Sequence, residues 1–199
     1  YDPVSDAWTG VSTGGAPTGR FGHAAAWTGS EMLVWGGDPN VFDSRETLLA
    51  EGHRYDPVAD SWSAMSTTGE PSPRTHFATA WTGTELLIWG GFDTSTQAPD
   101  GARYNPVTDS WAPMAASPIA TREDAGAVWT GSEFFIWGGE KTAPTSYLDD
   151  GATYDPAADT WTVLPVAPIE ARGLAGTVWS GSEVLIWGGR KTIPNDSFY

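Results

Sequence analysis

Tryptophan recurs in this chain in a fixed register, and no other feature narrows the possible folds as far. Trp8, Trp62, Trp111 and Trp161 close the segments YDPVSDAW, YDPVADSW, YNPVTDSW and YDPAADTW. Trp27, Trp81, Trp129 and Trp179 open WTGSE, WTGTE, WTGSE and WSGSE, while Trp35, Trp89, Trp137 and Trp187 open WGG. The three sets hold all 12 tryptophans, spaced within a set by 54, then 48 or 49, then 50 residues. The unit is therefore about fifty residues long and occurs four times, over about 1–54, 55–103, 104–153 and 154–199, so that 1–199 reads as one repeat domain. Arg20, Arg74, Arg122 and Arg172 keep the same register, each seven residues before a tryptophan of the second set.

Each unit predicts four short strands and no helix. The first strand is HAAAW (23–27), FATAW (77–81), AGAVW (125–129) or AGTVW (175–179), rich in small residues. Gly29, Gly83, Gly131 and Gly181 sit in the turn that follows, where a positive φ suits glycine. The second strand, MLVW, LLIW, FFIW or VLIW, is apolar throughout and predicts burial on both faces. A di-glycine stops it. After a loop of variable length the third strand ends at Tyr55, Tyr104 or Tyr154, and an Asp-Pro or Asn-Pro turn leads into a fourth. That strand carries Trp62, Trp111 or Trp161 and, three residues on, Met65, Met114 or Leu164. One such sheet leaves both faces wet, so the units must stack on each other, and small residues in the first strand favour stacking round an axis. The expected fold class is all-β, a β-propeller of four-stranded antiparallel blades with all the tryptophans as packing between sheets.

The di-glycine closing the second strand, the Tyr ending the third and the Trp that follows it in the fourth resemble the kelch-repeat β-propellers, over the whole length and in all four copies. The variant WTGSE, WGG and YDPxxDxW is similar to kelch-like repeats of bacterial exported proteins, which implies an extracellular or periplasmic setting. The four kelch-like repeats divide into three intact blades (about 22–66, 76–115 and 124–165) and one split between the termini. Its first two strands lie at 174–189 and its fourth at 8–12, with Tyr199 in the place of the third-strand Tyr. Either strand exchange closes a four-bladed ring, or the chain belongs to a longer or shared array, including a homo-oligomer. Kelch propellers usually have more blades than four, and a four-bladed axis is unusually tight, which favours the second reading.

Composition excludes several partners. With 25 acidic and 10 basic side chains, a formal charge of −15 and no basic block, the chain is unsuited to nucleic acid. Its apolar runs of about four residues are too short to span a bilayer. Without cysteine there is no disulfide, thiolate metal site or thiol nucleophile. The same absence removes the Tyr–Cys cofactor of the radical-copper oxidases that use this kind of propeller. No cofactor, metal ligand or catalytic residue is assigned.

Up-and-down connectivity puts the first-to-second and third-to-fourth turns on one face and the variable connections on the other. Between di-glycine and Tyr these variable loops run to 17, 12, 14 and 9 residues, and loops on a rigid scaffold are where specificity resides. Four candidate binding residues on that face are Arg20, Arg74, Arg122 and Arg172. The resemblance implies that they ring the channel mouth, where they would hold an anion. The alternative is that each pairs with a carboxylate or caps carbonyls to lock the blades. Just after the arginines the copies diverge, and His23, His76, Glu123 and Asp124 are the candidates that do not repeat. His23 and His76 lie four and five residues before their tryptophans and should face opposite ways, which argues against a shared metal. Asp38, Asp43, Asp93, Asp149 and Asp150 invite a calcium reading but spell no EF-hand loop, and with His53 they are expected to be solvated. Asp6, Asp60, Asp109 and Asp159 recur and should satisfy N–H groups of their turns. The reading that results is a non-enzymatic interaction module, binding a protein or glycan partner or joining a larger assembly through the long-loop face. The alternative is a kelch-type carbohydrate-active enzyme such as a sialic-acid mutarotase, using Arg122, Glu123 and Asp124.

Overall fold

A computed structural model describes residues 1–40, 47–94, 96–142, 145–191 and 197–198. Its first sheet contains β1 (Ala24–Trp27), β2 (Met32–Trp35), β3 (Gly52–Asp56) and β4 (Ser61–Ala64). The second contains β5 (Ala78–Trp81), β6 (Leu86–Trp89), β7 (Gly101–Asn105) and β8 (Ser110–Pro113). In the third, β9 (Gly126–Trp129) and β10 (Phe134–Trp137) are separated from β13 (Gly151–Asp155) and β14 (Thr160–Val163) by a small hairpin of β11 (Glu140–Thr142) and β12 (Thr145–Tyr147). β15 (Gly176–Trp179) and β16 (Val184–Trp187) form a two-stranded sheet, followed by the hairpin β17 (Arg190–Lys191) and β18 (Ser197–Phe198). All pairs are antiparallel, and β1, β5, β9 and β15 pack in series as the innermost strands. These are propeller blades. Each turn glycine adopts the expected positive φ, between 99° and 106°, with open space where a Cβ would be.

Burial on both faces of the second strand follows from the stacking. Ala24, Leu33, Trp35 and Met65 of the first blade meet Leu86, Ile88, Tyr104 and Trp111 of the second. Leu87, Trp89 and Met114 meet Phe134, Ile136 and Tyr154 of the third in the same way. In the first two blades the second-strand indole packs on that of the next blade's fourth strand, Trp35 on Trp111 at 5.4 Å and Trp89 on Trp161 at 5.5 Å between ring centres.

The recurring Asp of the DxW segment has a wider reach than its own turn. Tyr55, Tyr104 and Tyr154 each donate their hydroxyl to Asp60, Asp109 and Asp159 at 2.6 Å. The same carboxylate oxygen accepts the backbone N–H of Ser12, Ser66 or Ala115, which lies in the connection arriving from the preceding blade position. The carbonyl of that same residue accepts the indole N–H of Trp62, Trp111 or Trp161 at 2.9–3.0 Å. One residue is thus held from both sides, and the motif staples neighbours together. The Tyr hydroxyl first and the backbone N–H second hold all three carboxyls below their usual range. A group whose folded pKa is depressed adds stability above its unfolded value and loses it as pH falls through the folded one. The melting temperature should therefore drop below about pH 4. Asn at position 109 keeps an acceptor oxygen and tolerates the left-handed φ of 46°. We expect Asp109→Asn to melt lower than the parent at neutral pH and to show a shallower acid drop. Parallel pH profiles for the two proteins would refute the staple's electrostatic part.

Two expectations need correction. Trp8 and Trp187 are 84% and 83% exposed, and Trp27 is 53% exposed, so the tryptophans are not all core. Their register is that of packing positions, but packing needs a neighbouring sheet on the relevant side. Residues 8–12 form no strand, and among the described residues nothing pairs them with β16. A fourth strand pairs with a third, and no described third strand lies beside β16; the segment instead docks on the first blade through Ser12. Tyr199 lies outside the described residues, yet Ser197 pairs with Lys191 and Phe198 with Arg190, just as β12 pairs with β11. Residues 197–198 thus belong to a loop hairpin.

Candidate functional site

The long-loop face is built in two tiers, and the lower one consists of the arginines. Nη1 of Arg20, Arg74, Arg122 and Arg172 donates to the carbonyl of the first di-glycine residue, at Gly36, Gly90, Gly138 and Gly188, over 3.0–3.2 Å. In the first three blades it also reaches the carbonyl of Glu51, Asp100 or Asp150 at the entry to the third strand. The carboxylate of that same residue accepts from the guanidinium at 2.5–2.7 Å. Each Nε donates to a carbonyl two residues back. The arginine's own carbonyl accepts an N–H from the preceding blade, Gly37 to Arg74, Gly91 to Arg122 and Gly139 to Arg172. At Gly36 and Gly90 the next blade's Arg carbonyl lies where a Cβ would be, 3.1 and 2.8 Å away, and φ is positive, so glycine is required twice over. With Arg74 and Arg122 0% and 1% exposed, their fixed donor forks are turned onto the backbone. Through these bonds the two arginines tie the second and third strands to the blade entry.

Above them runs a hydrogen-bonded staircase. Gly22, His76, Asp124 and Leu174 occupy the same position, five residues before their tryptophans, and all have φ between 54° and 62°. His76 N donates to Gly22 O, Asp124 N to His76 O and Leu174 N to Asp124 O, stepping from blade to blade. The backbone is common and the side chains are not. His76 Nδ1 and Asp124 Oδ1 lie 2.8 Å apart across the junction of the second and third blades, and the Phe21 ring meets the His76 imidazole edge-on. The structure therefore brings His76 to Asp124. His23 sits one position on, in register with Phe77, Ala125 and Ala175, packed where Gly37 leaves room for its Cβ. Burial and then the Arg20 charge lower the His23 pKa. Glu123 is 2% exposed, and its backbone exchanges two hydrogen bonds with Glu140.

The loop carboxylates are mostly in use. Asp38 and Asp93 accept backbone N–H groups of Asn40 and Thr96 at 2.8 Å, and Asp150 pairs with Arg122. The Asp149 carbonyl accepts the Trp137 indole N–H. Asp43 lies outside the described residues. His53 is partly buried in β3, where burial lowers its pKa, so it is not the solvated residue expected. Sequence reasoning passed over Gln97, which is buried and donates from Nε2 to Glu140 O at 2.6 Å, tying two variable loops together. No local pattern marks it.

The comparisons agree with this architecture. A model of the KLHDC2/KLHL20/DRC7 Kelch-repeats domain matches residues 1–189. A search of curated proteins gave no match. Glycine pairs set against the next blade's arginine, the Tyr–Asp–Trp staple and three copies of one four-stranded sheet thus coincide with a family match over nearly the entire chain, and the protein belongs to the kelch-repeat family.

Proposed function

We propose that this propeller is a non-enzymatic interaction module that takes a protein partner on the face carrying the staircase and the long loops, in an extracellular or periplasmic setting. One observation carries the reading: side chains that differ in every copy, with His76, Asp124 and Leu174 among them, stand on a backbone that is the same in every copy. Rigid support with variable tips is the usual construction of a recognition surface. The setting rests on the likeness of the repeats to exported bacterial ones. A sialic-acid mutarotase reading would need Glu123 at the substrate, and its 2% exposure favours the interaction reading. A photo-crosslinking amino acid at Leu174, which is 53% exposed, should trap a partner from extract or medium of the source cells. The same group at Val107, 91% exposed on the opposite face, should trap none. Equal trapping at both positions, or none at Leu174, would overturn the assignment.

A further inference from the structure

On the face opposite the long loops, each junction between intact blades leaves a cleft. Between the first and second blades it has a volume of about 540 Å³ and is lined by Ser30, Glu31 and Arg54 on one side and by Trp81, Thr84 and Asn105 on the other. Between the second and third blades it has about 670 Å³ and is lined by Thr84 and Glu85, then by Trp129, Ser132, Glu133 and Asp155. The same repeat positions build both, one blade apart. Both volumes lie in the range of small-molecule sites.

Trp81 and Trp129 serve two surfaces. Each is half-buried, packs against the apolar core between blades and also lines a cleft. Gly83 and Gly131, in the turns that follow, would have nothing within 4 Å of a Cβ, so the approach beside the indole is open. The polar groups around it are balanced. Arg54 donates from Nε and Nη2 to Glu31 Oε2 at 3.1 and 2.6 Å, and among the described residues these two are the only charged ones lining the first cleft. Its counterpart Arg103 donates from Nη1 to Pro156 O at 2.5 Å and stands 3.7 Å from Glu85 Oε2, both in the lining of the second. There Glu133 accepts the Thr153 hydroxyl, and Asp155 accepts N–H groups of its own turn.

An open indole rimmed by a neutralised Arg–carboxylate pair and turn hydroxyls selects one kind of ligand. A polyanion is repelled by a chain of net charge −15, and a cation finds no unpaired carboxylate in the first cleft. A pyranose ring satisfies both demands. The C–H face of an all-equatorial ring stacks on the indole, while vicinal hydroxyls donate to the carboxylate and accept from the guanidinium. We propose that the two inter-blade clefts are saccharide subsites for a neutral, β-linked chain of all-equatorial hexose units. Trp81 and Trp129 are the platforms, and Glu31, Arg54, Glu85 and the turn hydroxyls meet the sugar hydroxyls. A polymer that reaches both subsites gains avidity over a single unit. The site lies opposite the staircase, so it stands whether or not a protein binds there, and a saccharide gives a crosslinker at Val107 no protein to trap.

The probe is cellohexaose, added to the isotope-labelled 199-residue protein. We expect saturable amide shifts confined to the turns at 28–31, 82–85, 105–108, 130–133 and 155–157. The Kd should stay within about twofold between about 50 and 500 mM salt, since the ligand carries no charge. Trp81→Ala combined with Trp129→Ala should weaken binding at least about tenfold. Both indoles also touch the core, so Thr84→Arg is the companion variant, at an exposed turn position that lines both clefts. It should melt as the parent does and bind at least about fivefold more weakly, because the long side chain obstructs both subsites. No shifts up to about 10 mM cellohexaose, shifts confined to the long-loop face, or a Thr84→Arg protein that binds as the parent does would overturn the proposal. So would hexalysine producing, at low salt, the cleft shifts that cellohexaose does not, because the carboxylates would then be selecting a basic peptide.

Discussion

Replacing Arg122 by Met should cost about 3 kcal/mol or more of unfolding free energy, because it leaves buried carbonyls without a donor. Its guanidinium serves Gly138 O, Asp150 O and Ala120 O, and its side chain is fully buried. Met fills much of the same volume, so the loss reports the donors and not a cavity. Lys should rescue little, since one ammonium cannot span acceptors that a planar fork reaches together. Asp150→Asn is the contrasting variant. That carboxylate is 48% exposed, and removing its charge should cost less than about 1 kcal/mol. Urea denaturation of the three variants separates carbonyl capping from ion pairing. An Arg122→Met protein within about 0.5 kcal/mol of the parent would mean that the inward ties contribute little, and an outward, ligand-binding role for the arginines would regain ground.

Repetition is what made the fold legible. A single apolar run such as FFIW fits a buried strand or a piece of buried helix, but four copies bounded by the same glycines leave only the strand. The same comparison located the sheet order, the positive-φ turns and the position of the core. It was blind to partners that differ between copies or lie far along the chain. His76 and Asp124 were each visible as residues that break the repeat, yet their contact joins positions 48 apart in sequence. Aligning them five residues before their tryptophans, in the column that begins with Gly22, was the available signal, since glycine there marks a left-handed backbone.

The arginines show the opposite limit. Their perfect recurrence fits a ring of ligand-binding groups and a set of structural ties equally well, because sequence does not say which way a long side chain turns. Burial shows which way Arg74 and Arg122 turn, and it comes with the di-glycine, which lets the neighbouring backbone close in. The DxW aspartates were placed in the right turn but credited with too local a task. Their second donor arrives from the connection preceding the blade, 43 to 48 residues earlier in sequence.

Trp89→Ala should cost about 3–5 kcal/mol, and Trp187→Ala less than about 0.5 kcal/mol, although the two residues hold the same place in the repeat. Trp89 is 1% exposed, packs on Trp161 and sits beside Gly101, where a Cβ would meet Met114 Sδ, Ile88 O and the indole. Truncation leaves a cavity lined by Leu87, Met114 and Phe134 that the paired strands β6 and β7 cannot collapse to fill. Trp187 faces water on the same side of its strand, with no described sheet beyond it, so truncation removes surface and leaves no void. Local sequence around the two is nearly the same, LLIWGG and VLIWGG, and cancels in the comparison. The difference between the two losses is therefore a direct reading of what a neighbouring blade contributes at one position. Thermal or urea unfolding of both variants measures it, and similar losses at the two sites would show that the energy resides within the single blade and not between blades.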